Sequence, residues 1–291
     1  MLTTTNQYIS RGWGSGLLGV IIFSASLPAT RVAVMGFSPL FLTSARAVIA
    51  ALLAVGFLAL LKAPLPNRKD LSSLAIVAFG VVVGFPLLTA LALQHITAAH
   101  SIVFIGLLPL ATALFGVMRG GEAPGRLFWL FSGAGSFAVV AFALSQSADA
   151  SLRGDLLMLG AIILCGLGYA EGAVLSRHLG GWQVISWALL LSLPVMAVLA
   201  LITFPDSLAG IDTAAWLGLG YVSVFSMLVG FIFWYRGLAL GGIAGVGQLQ
   251  LLQPFFGLIL AGLLLNEPIA LSMIAATVFV VACVAGAKRF T

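Results

Sequence analysis

The chain has 291 residues, of which 62% are hydrophobic and only 7% charged, where a typical soluble domain carries roughly 25% charged residues. So few charges cannot cover the exterior of a soluble fold of this length, whereas a lipid bilayer requires no such cover. The formal charge of +5 does not mark a nucleic-acid surface either, because the basic residues stand singly between apolar runs.

A spanning helix needs ~20 apolar residues, and ten such runs fill the chain. The first five are Trp13–Val34, Pro39–Leu61, Leu71–Leu93, Thr97–Met118 and Leu127–Leu144. The second five are Gly154–Ser176, Trp182–Phe204, Thr213–Tyr235, Ile243–Leu265 and Pro268–Ala287. The polar start, Met1 to Gly12, enters the first run with no A-x-A-like cleavage site before it, so no removable signal peptide is expected. The fold class expected is an all-α polytopic membrane protein of ten transmembrane helices.

Basic residues set the orientation. With the N-terminus in the cytoplasm, the inner side receives Arg11, Lys62, Arg68, Lys69, Arg119, Arg126, Arg177, Arg236, Lys288 and Arg289. The outer side receives Arg31 and Arg153, with acidic Asp149, Asp155, Asp206 and Asp212 in its connectors. Ten basic residues against two is a strong positive-inside bias. Both termini are expected in the cytoplasm, and the location is a bacterial-type cytoplasmic (inner) membrane.

The second half echoes the first. Pro109 is followed thirteen residues later by Glu122, and 145 residues on Pro254 is followed by Glu267, each carboxylate close to a further proline, Pro124 or Pro268. Gly19-Val20-Ile21-Ile22 corresponds to Gly160-Ala161-Ile162-Ile163, and Ala92-Leu93 to Gly237-Leu238. Two related halves of five spans must lie in opposite orientations, because five is odd. Inverted repeats of this kind are common in secondary transporters. The expected domains are two five-helix repeats, residues 1–145 and 154–291.

The connectors are too short for a nucleotide-binding domain, and there is no G-x-x-x-x-G-K-[ST] phosphate loop. Cys165 and Cys283 each sit alone in an apolar run as small core residues, with no CxxC or Cys/His cluster to suggest a metal. No cofactor is expected.

The paired prolines in spans four and nine, Ser26-Leu27-Pro28-Ala29-Thr30-Arg31, Leu42-Thr43-Ser44-Ala45-Arg46-Ala47 and Leu264-Leu265-Asn266-Glu267-Pro268 resemble the EamA-type members of the drug/metabolite transporter superfamily over the full chain. The narrower resemblance is to YddG-like exporters of aromatic amino acids. The resemblance implies a central cavity between two halves, export of a small-molecule substrate, and access that alternates by helix rearrangement.

The residues that stand out are polar groups and helix breakers inside the runs. Pro109 and Pro254 each remove a helical donor, which should free the carbonyls of Ile105 and Gln250. In lipid, such a carbonyl must face protein, water or substrate, so the pair reads either as passive kinks or as a repeated hinge. Gln248, Gln250 and Gln253 make span nine unusually polar. Gln250 and Gln253 are neighbours at i,i+3 and serve either as substrate contacts or as bonds between helices. Arg46 lies seven residues into span two, ~10 Å from the boundary by helical rise, and either snorkels or meets a carboxylate. Glu171 is the acidic residue well inside a span. It fits a coupling proton or an ion pair with Arg177 or another cytoplasmic arginine.

His95 and His100 bracket the turn into span four; they read as solvated or capping residues, with His100 kept as a gate candidate. Phe85, Tyr169, Trp187, Trp234 and Tyr235 are candidate cavity walls, although aromatics in such chains also face lipid. Ser132 with Ser136, and Ala282 with Gly286, recur at four-residue spacing suited to close packing of spans five and ten.

The function expected is a secondary transporter exporting or exchanging small metabolites, most of all amino acids including aromatic ones. The alternatives are export of drugs, organic cations or purine-type metabolites, a channel or membrane-bound interaction protein, or an intramembrane enzyme. The last would need paired carboxylates, a metal cluster or a nucleophile with its base, which the spans do not supply. The substrate and the bilayer are the expected partners; oligomeric state is not legible.

Overall fold

The computed structural model describes residues 2–146, 151–265 and 271–290. Asp149, Glu267 and Pro268 lie outside these residues. Within them the chain is helical, with no strand. The first half comprises α1 (Leu2–Ser24), α2 (Ser26–Ala33), α3 (Pro39–Leu60), α4 (Leu71–Val77), α5 (Phe85–Ala92), α6 (Ala98–Ile105), α7 (Leu108–Gly120) and α8 (Arg126–Gln146). The second comprises α9 (Leu152–Leu179), α10 (Gly181–Ile202), α11 (Thr213–Tyr221), α12 (Gly230–Gly241), α13 (Ile243–Gly247), α14 (Gln253–Leu265) and α15 (Leu271–Arg289).

Six continuous helical stretches among the described residues are long and apolar enough to cross a membrane: Ser10–Ala33, Pro39–Leu60, Arg68–Ala92, Leu152–Leu179, Gly181–Ile202 and Thr213–Gly241. Large apolar side chains such as Leu60, Phe79, Leu130 and Leu201 stand exposed on the outside, as a lipid-facing surface requires. The first helix begins at Leu2, eleven residues before the apolar run that marks it in the sequence.

Helix ends follow local chemistry. Ser38 accepts from the Phe41 amide with Pro39 at the first helical position, and Ser151 and Asp212 cap α9 and α11 in the same way. The left-handed backbone needed to leave α7 is supplied by Gly121, φ 66°.

Two stretches that read as plain helix in the sequence are not. Ala78–Gly84, between α4 and α5, and Val222–Val229, between α11 and α12, are wound as π-helix. The Phe85 amide reaches back to the Gly80 carbonyl and the Gly230 amide to that of Phe225, each five residues away. π winding is rare and frequent at functional sites. The two segments lie about 145 residues apart, at the offset that relates the two halves of the sequence.

The packing between halves shows the same exchange. The first helix of one half packs on the third stretch of the other, α1 on α12 and α9 on the π segment with α4 and α5. The second stretches, α3 and α10, pack on each other, as do the fifth, α8 and α15. Lipid offers no hydrophobic drive for helix association, so close packing carries it. A Cβ on Gly237 would lie 2.6 Å from the Gly16 backbone nitrogen, and one on Gly80 would lie 2.6 Å from the Leu164 carbonyl oxygen. Ser132 and Ser136 are buried on α8, and Gly286 on α15 sits against the Phe131 ring.

Candidate functional site

A cavity of about 20 Å³ lies where the two halves meet, room for about one water molecule. Phe23, Arg46, Val81 and Phe85 line it from the first half; Tyr169, Ser226, Phe231 and Gln253 line it from the second. Val81 and Ser226 come from the two π segments; Phe85 directly follows the first, and Phe231 lies just past the end of the second, after Gly230. The wider π turn brings to the cavity wall residues that an α-helical register would place elsewhere. Phe23 stacks near Tyr169, centroids 6.4 Å apart, and meets Phe231 edge-on at 5.0 Å.

Arg46 is the cation of this wall. It is 5% exposed, so it does not snorkel. One Nη donates to Ser226 Oγ at 3.2 Å, and Ser226 is also the acceptor for Ser26 Oγ at 2.7 Å. Its Nε has no partner. Among the described residues no carboxylate pairs with it. Gln253 Nε2 donates to the Phe23 carbonyl at 3.4 Å, while its Oε1 is buried and unpartnered.

Other expected site residues lie elsewhere. Gln250 is wholly buried and its Oε1 accepts from Thr112 at 3.4 Å, tying span nine to span four. Trp234 is wholly buried against the backbone of α1 at Gly19 and stands behind Phe23 and Tyr169. Trp187 lines a groove on the outside with Leu65, Leu71 and Leu191, away from the cavity.

Both proline positions are helix interruptions, but the backbone is rejoined differently from the sequence expectation. The break in span four falls at Gly106–Leu107, and Pro109 is the second residue of α7, where a missing amide costs nothing. In span nine, Gln248–Leu252 is wound as 3-10 helix, and Pro254 is the second residue of α14. The Gln250 carbonyl is therefore not free: it accepts from the Gln253 amide three residues on. Tighter winding repairs what proline removes.

Charged contacts gather at the two ends of the bundle. At the end where the start and finish of the chain meet, Lys288 lies over the Trp13 ring at 4.3 Å. Glu122 lines the same cleft. Its two carboxylate oxygens accept from the amides of Ile243 and Ala244, each at 2.7 Å, and Oε1 also accepts from Arg177 at 3.3 Å. Glu171 pairs with Arg119, and not with Arg177, through two hydrogen bonds of 2.6 and 3.0 Å. At the other end His100 is buried, not solvated, and its Nε2 lies 2.7 Å from Asp155, while Arg31 donates to the Leu93 carbonyl. His95 is exposed. Contacts between helices thus occur at both ends of the bundle.

The sequence pattern marks neither Glu122 nor Ser226 as a site residue. The 145-residue echo marks Glu122 as a repeated position but does not show that it caps the helix start of span nine. Among the described residues, no group of three metal-ligating side chains occurs.

The family model for EamA-like transporters matches the chain twice, over residues 11–144 and 152–287. The chain is 61% identical over 290 residues to a Bacillus subtilis (strain 168) protein called "Uncharacterized transporter YdeK", covering 100% of this chain and 99% of that one. A second protein of that organism, "Uncharacterized transporter YvbV", is 24% identical over 277 residues, covering 90% and 86%. A solved crystal structure 15% identical in sequence superposes with a TM-score of 0.78 over 96% of this chain and 99% of its own, a likeness of fold. The apolar helices, the two repeats and these relatives make this a multi-pass membrane protein, and the chain belongs to the EamA-like transporter family of the drug/metabolite transporter superfamily.

Proposed function

We propose that the chain is a secondary transporter that exports or exchanges small metabolites, amino acids including aromatic ones, by alternating access. The carrying observation is the cavity between the halves, to whose walls both π segments contribute: Val81 and Ser226 from within them, and Phe85 and Phe231 from just past their ends. A site built this way can be opened toward either side by moving one half against the other. The aromatic walls of Phe23, Tyr169 and Phe231, with the free amide oxygen of Gln253, suit a substrate that has an apolar body and a polar head.

In this proposal ten spans form two inverted repeats, residues 1–145 and 154–291, with both termini in the cytoplasm of a bacterial-type cell and the chain in its inner membrane. The positive-inside bias supports this orientation. Pro109 and Pro254 are then hinges. Arg119–Glu171 and Glu122 latch the cytoplasmic entrance, and His100–Asp155 the external one. Since the cavity has room for only about one water molecule, the walls must part before a metabolite enters.

The test is counterflow in liposomes containing purified protein and no ATP, with aromatic and aliphatic amino acids, purines and organic cations as probes. Saturable exchange of amino acids is expected. A requirement for an added ATPase, or no exchange with any probe, would overturn it.

A further inference from the structure

We propose that Arg46 is the specificity-determining contact for substrate, and that the carrier takes metabolites bearing a single carboxylate and rejects organic cations. This rests on the transport reading above and names the substrate chemistry of its cavity.

The first argument is charge. A guanidinium removed from water requires a compensating anion or a full set of acceptors, because an uncompensated buried charge is costly. Arg46 is 5% exposed, yet its partner is the neutral Ser226 hydroxyl, and Nε has none. Glu171 is engaged by Arg119, Glu122 by Arg177 and two amides, and Asp155 by His100. Among the described residues no carboxylate lies within ion-pair distance of Arg46. The described residues around the cavity include this one cation and no acid, so an organic cation would meet like charge in a medium of low dielectric.

The second argument is geometry. The guanidinium presents donors in a fixed fork that matches a carboxylate. Ser226 already occupies one Nη, and Ser26 bonds Ser226 in turn, so the arginine is held in place while Nε stays unused. One positive charge balances one negative charge. A phosphate monoester carries about −1.5 to −2 at neutral pH and would leave an excess that no second cation among the described wall residues offsets. The unpartnered Gln253 Oε1 accepts a hydrogen bond from a substrate donor, as an amino group provides. The aromatic rings of Phe23, Tyr169 and Phe231 receive the apolar remainder.

The test uses full-length protein in liposomes and four probes that share one ring: phenylalanine, 3-phenylpropionate, phenethylamine and phenyl phosphate. Exchange of the two carboxylates and neither of the others is expected. Arg46→Gln should raise the half-saturation concentration for phenylalanine by at least about tenfold, with Arg46→Lys falling between it and the parent. Thermal unfolding of the unaltered protein, which depends on no variant folding, should be delayed by phenylalanine and not by phenethylamine. Exchange of phenethylamine or phenyl phosphate would overturn the proposal, as would exchange limited to uncharged purines, and each would leave the transport reading standing. Unchanged phenylalanine kinetics in Arg46→Gln would do the same. Absence of exchange with every probe, including purines and aliphatic amino acids, would remove the transport reading and this inference together.

Discussion

Glu122 and Ala244, from opposite halves of the chain, are joined by a 2.7 Å bond from the Ala244 amide to a carboxylate oxygen, with the Ile243 amide on the other oxygen at the same distance. The carboxylate satisfies two amides at the start of α13 that have no helical acceptor and is held in turn by Arg177. Gly242, at φ 89°, turns the chain so that these amides point at it.

Glu122→Ala should therefore cost about 2 kcal/mol of stability, the range for charge-assisted bonds to amides. Glu122→Gln, which keeps one acceptor oxygen, should lose less. Unfolding of the detergent-solubilised protein measures both, and equal stability for Glu122→Ala and the parent would show that the latch contributes nothing.

The glycine contact between α1 and α12 gives a sharper comparison. A methyl on Gly237 would press within 2.6 Å of the Gly16 backbone, whereas one on Gly14 would meet nothing within 4 Å. Gly237→Ala should destabilise by about 1–3 kcal/mol or more, since backbone cannot step aside as a flexible side chain can. Gly14→Ala should be neutral. Indistinguishable unfolding of the two variants would refute the close approach of the helices.

The Arg119–Glu171 pair should bias which entrance stays closed. Glu171 is buried and Arg119 nearly half exposed, so about 1 kcal/mol is a reasonable worth for the pair, or about a fivefold shift between access states. Glu171→Gln should raise labelling of a cysteine placed at Ser176 by about that factor. The swapped pair Glu171→Arg with Arg119→Glu should restore the parent level. If Glu171 instead carries a coupling proton, Glu171→Gln would abolish pH-driven accumulation while sparing counterflow and leaving the labelling unchanged.

The paired prolines should act in opposite senses. Pro109→Ala and Pro254→Ala each return an amide to the first turn of a helix that follows an interruption. If the halves are inverted, the two variants should shift the access equilibrium toward opposite sides. Shifts of the same sign would contradict the hinge pair.

Much of this architecture is legible from periodicity, because helices in lipid are written as uninterrupted apolar runs. The runs located the helices and the proline pair located two interruptions. The π segments escaped, since Ala78–Gly84 and Val222–Val229 are as apolar as ordinary helix and differ only in which carbonyl each amide reaches. Burial of Arg46 was one of two readings, and only packing could decide between them. Tyr169 and Phe85 face the cavity but Trp187 does not. Aromatics look alike in sequence whether they face lipid or the interior. The echo of Gly84-Phe85 in Gly230-Phe231 was the signal that could have found Phe231.

The most direct test of transport through the central cavity is two-sided accessibility of one residue in its wall. Leu27 lines the cavity and is buried. A Leu27→Cys variant lacking Cys165 and Cys283 would be exposed to an impermeant maleimide in right-side-out and in inside-out vesicles. Alternating access predicts labelling from both sides, at rates that phenylalanine alters in both vesicle types. Labelling from one side alone under every condition, or from neither while counterflow proceeds, would contradict a pathway through this cavity.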